Sequence, residues 1–387
     1  MKIGIVTHYY NSTNYGGNLQ AYALCRYVNG MENCQAEQIS VNTKSNKSRG
    51  AGYYIKHYGV IGCVGKFAAR ALKSIRMKVK HKKYALAAKN LRTRKDAILP
   101  FNLSIPHSSQ VYTLSDISNA NRDYDFFITG SDQVWHPNAW NTAYRLDFVA
   151  DDKKKLSYAA SISKGKLTVE ETAVLKKSLS DYIAISVRER DALSLVSDIS
   201  PVKPKWVMDP VFLLSAAQWI EASDDRILPS EKYVFCYFLG DSKKERKAAI
   251  RYASARGLKI VTLPFLSGEY RTCDDKFGDY NFFDVSPSQF VSLLRHAHTV
   301  FTDSFHALAF SIIFNKEVFV FERSGAREMS TRIVSILSLV NAEKHFCDKG
   351  ARLSDFLNLE PIDYSAANNN IENMISSSKE FLEENLR

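Results

Sequence analysis

Short apolar runs bounded by glycine, asparagine or serine alternate along nearly the whole chain with stretches whose apolar residues recur at helical spacing. The first run, residues 3–7, is followed by a loop ending in Gly16 and Gly17 and by a helix that Asn18 opens, with Leu19, Tyr22, Ala23 and Tyr27 on one face. Further strands are predicted at 38–41, 125–129, 156–160 and 184–187, with a helix at 169–180. Residues 200–214 carry three prolines and read as a stiff connection. The alternation then starts afresh, with strands at 233–239, 259–263, 299–302 and 318–321 and helices at 243–255 and 287–296. Strands that alternate with helices imply parallel sheets. The pattern therefore predicts two Rossmann-like α/β domains, 1–214 and 215–365, facing across a cleft, and a polar helix at 366–387 that could cross back to the first.

Charge changes this picture in one place. Between Lys66 and Lys95 the chain carries Lys66, Arg70, Lys73, Arg76, Lys78, Lys80, Lys82, Lys83, Lys89, Arg92, Arg94 and Lys95 with no acidic residue. Phe67, Ala71, Leu72, Ile75, Val79, Leu86 and Leu91 recur among them at roughly helical spacing, so a basic amphipathic helical insertion is expected over about 60–97. Such a face could lie on an anionic membrane, gather an anionic substrate or simply be solvated. Across all 387 residues the net charge is +11 and the pI about 9.2, which points to an anionic partner. No nucleic-acid-binding module surrounds the patch, and no nucleic acid is expected as a partner. No apolar run reaches the roughly 18 residues of a membrane span, and the amino terminus reads as a strand, so a cytoplasmic protein is expected. The six cysteines are scattered, with no C-x-x-C pair, and read as reduced thiols with neither metal nor disulfide.

The stretch 298–314 carries the sharpest chemistry. A strand, a polar turn at Asp303 and Ser304, and an apolar helix with His306 in its first turn make a natural anion seat, because helix N-termini present free N–H groups and positive dipole ends. The same residues also fit a plain helix cap with a packed histidine. Gly16 and Gly17 would let a ligand approach the backbone, or only form a tight turn. The loop after residue 129 offers Ser131, Asp132, Gln133 and His136, with Trp135 and Trp140 as flat apolar faces of the kind sugars pack on. Arg188 closes another strand, where it could bind a carboxylate or phosphate, or pair with Glu189 or Asp191.

N-Y-G-G-N-L-Q-A-Y-A-L near the start, F-I-T-G-S-D-Q-V-W, I-S-V-R-E-R-D, V-M-D-P-V-F-L-L and T-D-S-F-H-A-L-A-F-S, in this order, resemble the polysaccharide pyruvyl transferase family. The resemblance implies a GT-B-like pair of Rossmann domains, and transfer of a pyruvyl group from phosphoenolpyruvate to a sugar of a cell-surface glycan or its lipid-linked precursor, as a cyclic ketal. It implies no cofactor beyond that donor. It makes His306 the proton donor or phosphate ligand and Arg188 a donor-holding arginine. Some members carry an arginine two residues before the histidine, where this chain has Ser304; Arg332, or Arg327, is expected to replace it beside Ser304 on the donor side. Acceptor contacts are expected from Gly16, Gly17, Asn18, Asp132, Gln133 and Trp135. The basic insertion 66–95 would then dock on the anionic inner face of the cell membrane. Two other readings share the architecture: a GT-B glycosyltransferase using a nucleotide sugar, and a non-catalytic sugar- or phosphate-binding protein.

Overall fold

The computed structural model describes residues 1–43, 81–137, 141–266, 270–323, 331–347 and 359–387. Strand β1 (Lys2–Val6) is buried and leads into helix α1 (Tyr15–Asn29), whose N-cap Asn14 accepts a hydrogen bond from the Gly16 amide. Strands β2 (Gln35–Gln38), β5 (Phe126–Thr129), β6 (Lys154–Ala160), β7 (Ala184–Val187) and β8 (Lys205–Trp206) complete a parallel six-stranded sheet of order β2-β1-β5-β6-β7-β8. β3 (Val41–Asn42) and β4 (Tyr112–Thr113) form a separate two-stranded pair. Helix α2 (His81–Ser104) precedes β4, while α3 (Val169–Ser178) and α4 (Ala192–Ser197) follow β6 and β7. Four consecutive buried positions in β5 and in β7 fit a sheet covered on both faces.

A second parallel sheet of order β11-β10-β9-β12-β13-β14 is built from β9 (Tyr233–Tyr237), β10 (Lys259–Thr262), β11 (Tyr280–Asn281), β12 (Thr299–Thr302), β13 (Glu317–Phe321) and β14 (Phe346–Cys347). Helix α5 (Ala216–Glu221) leads into it and α6 (Lys243–Arg256) joins β9 to β10. In chain order the sheet reads 3-2-1-4-5-6, the doubly wound order whose ligand crevice lies where the order reverses, here between β9 and β12. In the first sheet the reversal falls between β1 and β5.

Two helices govern how the halves meet. α1 packs against α7 (Pro287–His296), which a Ser286/Gln289 capping box starts. Tyr15 of α1 stacks on Phe290 of α7 with ring centroids 4.6 Å apart, and its hydroxyl donates to the Val285 carbonyl at 2.9 Å. The core beneath the second sheet thus includes Tyr15, Leu19 and Ala23 from the first half, so the two halves share one apolar core along α1. The last helix, α10 (Tyr364–Asn385), inserts Ala367 and Ile371 into that core and Phe381 and Leu382 into the core under the first sheet. Ser378 between them accepts a hydrogen bond from the Met208 amide.

The part of the basic insertion that is described, from residue 81, is the single helix α2; residues 66–80 lie outside the described residues. Lys82, Lys89, Arg92 and Lys95 are exposed, and Lys83 pairs with Asp275 at 3.1 Å. Arg94 is buried, donating to the Phe282 and Phe283 carbonyls and lying over the Tyr15 ring. It therefore belongs to the packing between the halves and not to a solvent-facing patch.

Candidate active site in the cleft

The β-branched and aromatic run of β12 ends at Thr302, and Asp303 and Ser304 turn the chain into α8 (Phe305–Ile313), an almost wholly buried helix. Ser304 occupies the N-cap position without a side-chain capping bond. Asp303 turns away from α8: its carboxylate accepts from the Leu239 and Gly240 amides at 2.7 Å each and lies 3.4 Å from Arg323. The first turn of α8 is left to face the cleft with His306.

Opposite His306 stands the first turn of α1. A Cβ built on Gly16 would overlap the His306 imidazole, so glycine is required there for the ring to seat between the two helix starts. His306 Nε2 is 3.7 Å from Asp209 Oδ2 and has no hydrogen-bond partner. Asp209, fully buried, accepts from Arg188 Nη1 at 2.8 Å and from Ser131 Oγ at 3.0 Å. Arg188 also reaches Asp132 at 3.5 Å and lies over the Phe305 ring at 4.5 Å, while its Nε remains unpartnered. Arg332, on α9 (Thr331–Leu339), enters from the far side, 5.6 Å from the same ring; Nη1 donates to Ser163 Oγ at 3.4 Å and Nε has no partner.

Electrostatics follow from this crowding. Burial pushes the His306 pKa below the usual histidine value, and Arg188 and Arg332 push the same way; together they outweigh Asp209 and Asp132. The resting imidazole is neutral at pH 7. Burial, reinforced by Arg188, lowers Arg332 to about 10, so it stays charged. Burial would raise Asp132, but Arg188 first, then His306, His8 and Arg332, hold its carboxyl far below the usual range. Two guanidiniums, an imidazole and a helix start thus surround a region where several N–H groups lack acceptors, a composition suited to an anion with more than one charged end.

Of the expected donor-side residues, the fold brings Arg188, Ser304, His306 and Arg332 together in one place; Arg327 and Trp140 lie outside the described residues. The expected acceptor side is altered in three respects. Trp135 is completely buried, edge-on to Tyr182 at 6.2 Å, and offers no face to a sugar. Asn18 is fully buried, with its amide donating to the Ser12 and Asn14 carbonyls and its oxygen accepting from Asn102, so its side chain is committed inward. Gly16 and Gly17 admit protein atoms: the imidazole at Gly16, and at Gly17 the His8 carbonyl, 2.8 Å from where a Cβ would stand. Asp132 is buried beside Arg188, and Gln133 is half-buried with its Nε2 unpartnered. Sequence reasoning assigned no role to Asp209, the hub of the cluster, although it stands inside the V-M-D-P-V-F-L-L motif that carries part of the family resemblance. No group of three or more His, Cys, Asp or Glu residues is arranged to hold a metal among the described residues.

The family profile for polysaccharide pyruvyl transferase matches residues 14–325, from the N-cap of α1 to just past β13, and so takes in the cluster except Arg332, which lies beyond it. The chain belongs to the polysaccharide pyruvyl transferase family. It is accordingly a transferase, acting on a polysaccharide acceptor. None of the curated proteins compared with this transferase matches it. Among solved structures, the UDP-GlcNAc 2-epimerase from Methanocaldococcus jannaschii superposes with a TM-score of 0.53 at 10% identity, covering 97% of this chain and 100% of that one. The UDP-GlcNAc 2-epimerase from Neisseria meningitidis bound to UDP-GlcNAc gives 0.51 at 11% identity, with 100% and 99% covered. At such identities the likeness speaks to fold alone, and the fold of this pyruvyl transferase is GT-B-like, two Rossmann-like parallel-sheet domains across a cleft. No helix among the described residues is long and apolar enough to cross a membrane.

Proposed function

We propose that this transferase takes its pyruvyl group from phosphoenolpyruvate and places it on two hydroxyls of one sugar as a cyclic ketal, releasing inorganic phosphate. The observation that carries the proposal is the convergence of Arg188, Arg332, His306 and the start of α8 on one buried cleft, with Nε of both arginines and Nε2 of the histidine unpartnered. Buried polar atoms without partners are rare in native proteins, and three of them converging from charged or titratable side chains suit a place where an anion completes the bonding. Phosphoenolpyruvate carries a phosphate and a carboxylate close together, and two guanidiniums suit that pair of anions.

The chemistry assigns each group a task. His306, protonated when the anion is bound, delivers a proton to the methylene carbon, and a sugar hydroxyl attacks the adjacent carbon. The C–O bond to phosphate then breaks, and the second hydroxyl closes the ring. The two hydroxyl protons are balanced by the one gained as methyl and the one carried off with phosphate. Arg188, Arg332 and Ser304 stabilise the leaving phosphate, and Asp132 and Gln133 orient the acceptor.

Phosphate release from phosphoenolpyruvate, measured with a panel of galactosides, mannosides and glucosides, tests this. Acceptor-dependent release is expected, and Arg332→Ala should raise the donor KM about tenfold or more, the scale of a lost charged hydrogen bond. Unchanged kinetics in that variant would remove Arg332 from the site, and thermal stabilisation by a nucleoside diphosphate but not by phosphoenolpyruvate would overturn the donor.

We also propose that the exposed cations of α2 hold the protein on an anionic membrane, where a lipid-linked acceptor would be presented. Co-sedimentation should then require anionic lipid and weaken with salt; equal recovery with neutral vesicles, or none with either, would dismiss it.

A further inference from the structure

Glu189 follows Arg188 at the end of β7 and points elsewhere. It is 2% exposed, and no lysine or arginine forms an ion pair with it among the described residues. One carboxylate oxygen accepts from the Ser161 hydroxyl, and from both the amide and the hydroxyl of Ser163 at 3.2 Å; the other oxygen has no partner. Arg332 is its mirror image across the cleft: 7% exposed, without a carboxylate in ion-pair contact among the described residues, and tied to the first half through the Ser163 hydroxyl. Ser163 and Glu189 belong to the first half and Arg332 to the second. Two opposite buried charges, each lacking an ion-pair partner among the described residues, are therefore joined by one hydroxyl.

We infer that Glu189 is a positioning residue for Arg332, holding the guanidinium in the cleft through Ser163. The hydroxyl of Ser163 can accept from Arg332 while its own proton is directed toward Glu189 or toward Ser161 Oγ, 2.5 Å away. The carboxylate thus fixes the orientation of the serine lone pairs that receive the arginine. An arginine brought from another element into a buried cleft must give up rotamer freedom and hydration, and a nearby carboxylate offsets both. Asp132 and Glu189 are the two carboxylates that favour the charged form of Arg332, and Asp132 is already paired with Arg188.

The inference rests on the proposed reading in so far as Arg332 binds an anion, and the sign of one effect separates it from simple electrostatics. Removing a negative charge beside an anion site strengthens anion binding if the charge is a bystander, and weakens it if the charge holds a binding group in place. Inorganic phosphate is the probe, titrated calorimetrically into the full-length wild type, Glu189→Gln, Ser163→Ala, Arg332→Ala and the Glu189→Gln/Arg332→Ala double variant. Glu189→Gln and Ser163→Ala are expected to bind phosphate ~3- to 10-fold more weakly, with no further loss from Glu189→Gln once Arg332 is alanine. With phosphoenolpyruvate, the same two variants should raise donor KM while kcat stays within about threefold, a split that general loss of structure does not produce. Phosphate affinity that is unchanged or tighter in both variants overturns the inference, as does full additivity in the double variant. Should Glu189→Gln fail to fold, Ser163→Ala, which deletes only the bridging hydroxyl, decides alone. If the phosphate series behaves as expected while the wild type releases nothing from phosphoenolpyruvate, the donor assignment falls and the role of Glu189 stands. A wild type that binds no phosphate overturns both.

Discussion

His306→Gln is expected to lower turnover of phosphoenolpyruvate by ~10²- to 10⁴-fold, the usual contribution of a positioned general acid, while leaving the fold intact. Glutamine keeps a polar tip near Asp209 but cannot deliver a proton. Burial and two neighbouring arginines keep the resting imidazole neutral, so it must gain its proton with the substrate. A phosphate and a carboxylate arriving beside it reverse the local balance of charge and raise its pKa. Donor binding near pH 7 is therefore expected to take up protons, visible as a dependence of the calorimetric enthalpy on the buffer's ionisation heat, and the dependence should shrink in His306→Gln. The same depressed pKa makes the unfolded chain the better proton acceptor once pH falls below the ordinary histidine value, so this site costs stability in acid and His306→Gln should be less acid-sensitive. Gly16→Ala should act in the same direction on turnover, because its methyl would overlap the imidazole where it now sits. Turnover of His306→Gln within about threefold of wild type would exclude the histidine as the acid.

Arg188→Ala should be the most damaging single change for the fold as well as for the reaction. The guanidinium is buried, bonded to the fully buried Asp209, and in reach of Asp132. Deleting it leaves the buried Asp209 without its ion pair and Asp132 without its nearest cation, a loss on the order of 3–5 kcal/mol in buried pairs. Denaturant unfolding should report a lower midpoint with unchanged slope, and donor binding should vanish. Arg188→Lys should recover part of the stability and little of the activity, since an ammonium cannot reach both carboxylates and still lie flat over Phe305. A midpoint within experimental error of wild type in Arg188→Ala would mean that the acidic pair is protonated or hydrated instead, and that Arg188 does not hold the cluster together.

Much of this arrangement could be read from the chain because strand ends and helix starts have local signatures. His306, Arg188 and Ser304 all lie within a few residues of a predicted strand's carboxyl end, which is where a parallel sheet collects its chemistry. What could not be read depends on partners distant in sequence. Trp135 sits in a polar loop and looked like a sugar platform, yet its amide donates to the Ser161 carbonyl, which turns the ring inward toward Tyr182. The glycine pair, which the sequence leaves open to a tight turn or a ligand, lies in the first turn of α1, and the group admitted at Gly16 is an imidazole from the other half, which no local pattern encodes. Asp209 was hidden in a proline-flanked stretch with no periodicity, where its carboxylate also accepts from the Val211 amide and so resembles an ordinary turn cap. The strand order of each sheet is likewise a matter of pairing between segments that share no local cue.

The carboxylate of Asp303, seated on the amides of Leu239 and Gly240, fills the crevice where the second sheet reverses its order. In other doubly wound sheets that reversal is where a dissolved anion is received. Here the chain supplies the occupant itself, tethered and permanent, and pairs it with Arg323 while Arg246 and Arg271 bond to the Gly240 carbonyl beside it. The two amides a phosphate would use at that turn are therefore already taken, and an unpartnered group on this half, His306 Nε2, waits instead at the mouth of α8.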